Sequence, residues 1–175
     1  MEKTKFKKLL FKVAFCSMAC DGKIVPEEIQ ELKIIEKNTP FFKEIDLSDE
    51  LEFLKKELEE KGVQIVEDLF NSLKESDLNP IRELIILEVA LRIIAADREY
   101  DENEIKFVNL LRANLKIHDE WIIDRFGKID ILHTSDYSRN IRSKGSESDF
   151  IENLHFPEIG NIEEIDLNNV QDVSL

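Results

Sequence analysis

Glycine, proline, cysteine and tryptophan are all scarce in this chain of 175 residues, which contains five, four, two and one of them respectively. Because β proteins depend on glycine and proline at their many turns, this scarcity favours a helical protein. Cys16 and Cys20 lie four positions apart on one predicted helix, so they do not staple separate segments and indicate a reducing compartment. We interpret them as buried small side chains; a soft-metal thiol site is the alternative, although no histidine is near them in sequence.

No segment is long and apolar enough to span a bilayer, since the most apolar stretch, residues 84–96, is interrupted by Glu88 and Arg92. The N-terminus does not resemble a signal peptide, because lysines interrupt the only candidate stretch. We therefore expect a cytoplasmic protein. Peripheral contact with an anionic membrane through the lysine-rich first helix is an alternative, and solvated lysines opposite a core stripe explain the same pattern.

The composition and motifs of the sequence do not support nucleic-acid binding or catalysis. The formal net charge of −14 and the pI near 4.7 exclude nucleic acid as the main partner, because phosphate binding needs a basic surface. The sequence has no glycine-rich phosphate loop, no Gly-x-Ser-x-Gly and no helix-borne histidine pair. We therefore predict that the chain is not an enzyme, with a metal-dependent enzyme that uses some pair of its many carboxylates as the remaining alternative.

Apolar positions recur with helical spacing in seven stretches. These stretches are at about residues 4–20, 26–38, 48–61, 63–76, 80–96, 102–115 and 119–126. The fifth is apolar nearly all round and should be central. Ser48 or Asp49 should cap the third, and Trp121, Ile122 and Phe126 of the seventh should close the core. From about residue 135 the periodicity fades and nine acidic residues stand against three basic ones. We predict a helical domain over 1–134 and an acidic tail over 135–175, which is either flexible or docked on its own domain or a protein partner.

An internal repeat is the most informative feature. Residues 14–35 align without gaps to residues 90–111 at a constant offset of 76. The identical pairs are Ala14/Ala90, Ala19/Ala95, Asp21/Asp97, Glu28/Glu104 and Ile29/Ile105. Each copy is an apolar helix end, an aspartate, a short turn and a helix opened by a glutamate. The predicted fold is all-α: a compact bundle of about seven helices with two pseudo-symmetric helix–acidic-turn–helix repeats.

Two interpretations of Asp21, Glu28, Asp97 and Glu104 stay open. In the first, each aspartate shapes its turn and each glutamate, near the third helical position, caps the following helix. In the second, the four carboxylates bind a divalent cation such as Ca²⁺ or Mg²⁺, which prefers oxygen ligands. Arg98 stands where the first copy has Gly22. A positive φ there would cost arginine about 1 kcal/mol, and its cation beside Asp97 makes the first pair the better metal candidate.

The run Ala-Cys-Asp-Gly-Lys-Ile-x-x-x-Glu, repeated as Ala-Ala-Asp-Arg-Glu-Tyr-x-x-x-Glu, resembles the tellurite-resistance TerB-like family over about residues 4–130. The resemblance implies an all-helical bundle with pseudo-symmetric halves and a divalent-metal role for the acidic positions. It also implies a part in tellurite and chemical-stress resistance, membrane-linked stress complexes or phage defence, without catalysis. We therefore expect a protein-interaction module of a bacterial stress-response or defence assembly, which binds partners through its helical surface and tail; a divalent-metal sensor is the alternative.

Overall fold

The computed structural model describes residues 1–134, 140 and 145–168. Over these residues the protein forms nine helices and no strand, which confirms the all-α prediction. The helices are α1 (Lys3–Ala19), α2 (Pro26–Asn38), α3 (Leu47–Lys61), α4 (Gln64–Glu75), α5 (Pro80–Ile94), α6 (Glu102–Ala113), α7 (Asp119–Phe126), α8 (Glu147–Glu152) and α9 (Ile159–Glu163). The first seven match the seven predicted stretches.

Helices α1 and α5 form the centre of the bundle. They pack extensively against each other, α5 also contacts α2 and α6, and α1 also contacts α3, α4 and α6. Both helices are rich in apolar residues, so each can bury side chains on several faces at once. Cys16 of α1 and Cys20, which directly follows α1, are buried, as expected for small apolar side chains. Helices α1 and α5 each lead into an acidic turn, and the two turns lie close enough for their charges to act on each other.

Local sequence signals set most helix ends. Pro80 opens α5 while the side chain of Asn79 accepts a hydrogen bond from the N–H of Arg82. Helix α3 ends at Gly62, whose φ is 58°. The predicted cap of α3, at Ser48 or Asp49, is wrong. Asp46 is the cap, because its carboxylate accepts the N–H groups of both those residues.

Helix α7 differs from the prediction in how it faces the core. The prediction was that Trp121, Ile122 and Phe126 close the core together. Ile122 is buried and Phe126 is half-buried, but Trp121 is 47% exposed. Successive helical residues are rotated by about 100°, so the burial of Ile122 turns the flanking positions sideways. The core-closing prediction is wrong for Trp121.

Residues 145–168 lie against the domain that precedes them. Helix α8 contacts α4 and α6, and α9 contacts α3. The buried apolar residues of this segment are Phe150, Ile151, Leu154, Ile162 and Leu167. Helical structure therefore continues past the point where the periodicity fades, because tertiary contacts stabilise helices that are too short to persist alone. The rest of the predicted tail, residues 135–139, 141–144 and 169–175, falls outside the described part of the chain.

None of the helices in the described ranges combines the length and the apolar character needed to cross a membrane. The longest, α1, has 17 residues and carries a run of lysines, and the most apolar, α5, includes Glu83, Glu88 and Arg92.

Candidate functional site

The first acidic turn, between α1 and α2, is held by its own side chains. The carboxylate of Asp21 accepts the N–H of Lys23 at 3.0 Å. Glu28, in the first turn of α2, accepts the N–H of Val25 with Oε2 at 2.9 Å. Gly22 lies between them with a φ of 90°, in the left-handed region that glycine adopts without strain. The aspartate therefore shapes the turn and the glutamate satisfies a helix-end N–H.

The second turn, between α5 and α6, repeats these bonds at the offset of 76 residues. Asp97 accepts the N–H of Glu99 at 3.0 Å, and Oε2 of Glu104 accepts the N–H of Asp101 at 2.8 Å. Asp101 also accepts from the N–H of Asn103, and the reciprocal bonds between Asp101 and Glu104 form a capping box. The predicted capping roles are thus present in both turns.

The glycine-to-arginine difference between the turns has a backbone consequence. Arg98 has a φ of 63°, so it occupies the same left-handed region as Gly22. Residues with a Cβ pay about 1 kcal/mol there, which is the strain expected from the sequence. Gly22 has a second reason to be glycine: an added Cβ would lie 3.1 Å from the carbonyl oxygen of His155, where the tail crosses the turn.

The four acidic residues singled out from the sequence influence one another electrostatically; we call Asp21, Glu28, Asp97 and Glu104 the acidic cluster. The pKa of Glu28 is raised from 4.5 to about 8. Burial is the main cause, the N–H of Val25 opposes it, and the negative charges of the other three members add to it. The cluster therefore spans both turns, as a shared site requires.

The pKa values of Glu104 and Asp21 are raised, like that of Glu28. Burial, with added repulsion from Asp21, Asp97 and Asp101, raises the pKa of Glu104 from 4.5 to about 7. Burial also raises the pKa of Asp21, and the charge of Asp101 contributes. The pKa values of two glutamates of the cluster thus lie near neutral pH, whereas most surface carboxylates have much lower pKa values.

The cluster is not a ready-made metal site. Across residues 1–134 and 145–168, no three His, Cys, Asp or Glu side chains are arranged to hold a metal ion. In addition, Glu28 and Glu104 each commit oxygen Oε2 to a capping bond.

The two thiols are poor metal ligands at neutral pH. Burial raises the pKa of Cys16 to about 12. The pKa of Cys20 is also raised, first by burial and then by the nearby charges of Glu104 and Asp21. Metals bind the thiolate, which is scarce under these conditions.

Two surface features were not found from the sequence. Trp121 and Ile123 are exposed beside a groove of about 530 Å³ at the end of α7. A cleft of about 440 Å³ lies between α6 and α8, with Leu110 and Phe150 among its apolar lining. A signal for the first existed, because three successive large apolar residues on an eight-residue helix cannot all face one core.

Comparison of the chain with family models, curated proteins and solved structures finds no match in any of the three. What the protein does is therefore inferred from its own residues and their geometry.

Proposed function

We propose that this chain is a non-catalytic protein-interaction module, of the TerB-like kind, in a bacterial stress-response or phage-defence assembly. The observation that carries the proposal is the apolar surface of α7, where Trp121 is 47% and Ile123 is 57% exposed. Single exposed apolar residues are common, but Trp121 and Ile123 lie on either side of the anchored Ile122, so both edges of the exposed face of α7 are apolar; we call this face the α7 patch. Tryptophan is also among the residues most enriched at the energetic centres of interfaces.

The surroundings of this patch suit a docking surface. Ile122 anchors α7 in the core, so the helix presents the patch from a fixed support. Arg125 is held by Glu88, with Nη2 and Oε2 2.8 Å apart, and its guanidinium lies 5.8 Å from the ring centroid of Phe126. Arginine and aromatic residues beside an apolar groove are typical of interfaces between proteins.

The TerB-like part of the proposal is supported by the two turns. The same Asp-to-N–H and Glu-to-N–H bonds occur in both turns at the offset of 76. We propose that α1–turn–α2 and α5–turn–α6 are duplicated, pseudo-symmetric halves, which is the arrangement that the resemblance implies.

Replacing Ile123 with serine is the direct test of the α7 patch. The full chain, immobilised, is expected to recover partners from a bacterial lysate, and Ile123→Ser should lower the recovery of its main partners about tenfold. Quantitative mass spectrometry measures the recovered proteins. Ile81→Ser is the matched control, since Ile81 is 66% exposed on α5, outside the patch. Equal recovery by all three proteins, with unchanged thermal melting, would contradict the role of α7.

Divalent-cation binding at the acidic cluster is the second candidate function. The observation that favours it is the gathering of four carboxylates in which burial, and then the repulsion between the members, raises the pKa values of Glu28 and Glu104. A hard cation would relieve that repulsion and bind carboxylate oxygens of the cluster. Occupation of the cluster would then change the packing of the two turns, as a sensor requires.

Isothermal titration with Ca²⁺, Mg²⁺, Mn²⁺ and Zn²⁺ tests the second candidate. If the cluster binds a cation, heat is released or absorbed and the melting temperature rises with cation concentration. Asp21→Asn should weaken binding more than Asp97→Asn, because the cation of Arg98 adjoins Asp97. Absence of both a heat signal and a melting shift would remove this candidate and leave the interaction function untouched.

A further inference from the structure

Residues 145–168 lie on the bundle as a peptide ligand lies in a groove. The segment is held by two short helices, α8 on α4 and α6, and α9 on α3. Between them the chain crosses the first acidic turn. There the ring of Phe156 meets Phe15 of α1 edge-on, with centroids 6.2 Å apart, and the carbonyl of His155 lies against Gly22.

Apolar anchors and one polar anchor fix the register of this segment. Phe150, Ile151 and Leu154 are buried, at the spacing of one face of a helix. Glu147 is the polar anchor, because its carboxylate accepts from Lys74 at 2.7 Å and from the side-chain amide of Asn114 at 3.1 Å. A charged anchor beside a short apolar face is also how proteins commonly bind a partner helix in a groove.

Three features weaken this docking. Helices α8 and α9 have six and five residues, far below the length at which a helix persists alone. The cleft of about 440 Å³ between α6 and α8 leaves part of their seam unpacked. Residues 145–168 also contain seven acidic residues and neither lysine nor arginine, on a chain whose net charge is −14, so repulsion opposes their docking.

We propose that residues 145–168 are a displaceable internal ligand, which occupies a groove of α1, α3, α4 and α6 that also accepts an amphipathic acidic segment of a partner protein. This inference rests on the interaction function proposed above and names a second surface for it. The partner segment would carry large apolar residues at the spacing of Phe150, Ile151 and Leu154. A carboxylate of the partner segment, placed like that of Glu147, would form an ion pair with Lys74. The chain's own tail then sets the threshold for binding, since a partner must compete with it.

Hydrogen exchange on the full chain tests the opening of the tail. Amides of residues 147–163 should exchange at least tenfold faster than those of α1 and α5, because the tail detaches while the bundle stays folded. Exchange of both regions at one common rate, set by global unfolding, would overturn the proposal.

A labelled peptide of residues 145–168 tests the groove. Leu154→Asp in the full chain places a charge in the apolar contact and should loosen the tail only. The peptide should bind this variant at least tenfold more tightly than it binds the wild type, measured by fluorescence anisotropy. Asn161→Asp is the matched control, because it adds the same charge at an exposed position of the tail and should bind as the wild type does.

The outcomes separate this inference from the interaction function. If Leu154→Asp keeps the circular dichroism spectrum of the wild type but binds no peptide, the groove is overturned. If partners from a lysate are still recovered in that case, the α7 surface accounts for them and the interaction function stands. If the variant does not fold, the hydrogen exchange of the wild type decides whether the tail is displaceable.

Discussion

Replacing Asp119 with alanine is expected to lower the free energy of unfolding by about 3 kcal/mol. The reason is Arg112 of α6, whose side chain is completely buried. Its Nη2 donates to the carboxylate of Asp119 at 2.8 Å and to the carbonyl of Ile117 at 2.6 Å. Within the described ranges, its Nε and Nη1 have no hydrogen-bond partner. Removing Asp119 therefore strips a buried cation of a counter-charge that it can hardly replace.

The effect should depend on the charge of Arg112 and not on the loss of the Asp119 side chain. Arg112→Met keeps most of the buried volume and removes the cation, so its stability should stay within about 1 kcal/mol of the wild type. The double variant, with both Arg112→Met and Asp119→Ala, should be more stable than the Asp119→Ala variant, because it has no unpaired buried cation. Urea denaturation of the four proteins measures these differences. An exposed ion pair contributes about 0.5 kcal/mol. If Asp119→Ala lowers the free energy of unfolding by less than that, the buried charge of Arg112 does not need this partner.

Replacing Glu28 with glutamine is expected to stabilise the protein above neutral pH and to flatten its stability profile. The folded protein holds a proton on Glu28 up to a pKa of about 8, whereas the ordinary pKa of a glutamate is 4.5. Between these values the folded state binds more protons than the unfolded state, so the wild type loses stability as the pH rises. Glutamine does not titrate, and its side-chain oxygen can still accept the N–H of Val25.

The expected gain in unfolding free energy from Glu28→Gln is on the order of 2 kcal/mol at pH 8.5 and close to zero at pH 4.5. Urea denaturation at both pH values, in EDTA, measures it. Glu27→Gln is the control, because it removes a charge from the next, exposed position of the same helix. An equal gain from both variants would show that the net charge matters and the buried carboxyl does not.

The sequence alone determined the helices and the chemistry within each acidic turn. Pro80 and Gly62 mark helix ends through backbone geometry that they impose by themselves. The bonds of Asp21 and Glu28 close within eight residues, so their spacing predicts them wherever the turn lies in the fold. The internal repeat then predicted that the second turn would form the same bonds, and it does. The alignment of Arg98 with Gly22 indicated what a positive φ there would cost, and the structure shows that φ.

Tertiary structure alone decided which side chains of each helix are buried and which charges lie near them. The pKa of Glu28 depends on burial and on charges from a turn about 76 residues away, and neither is encoded locally. Trp121 is exposed because Ile122 takes the core position, a choice that helical periodicity leaves open on so short a helix. Leu154 is buried because a groove of distant helices receives it. Local bonds and backbone preferences act over a few residues, whereas burial and electrostatics sum over neighbours that only the folded chain brings together.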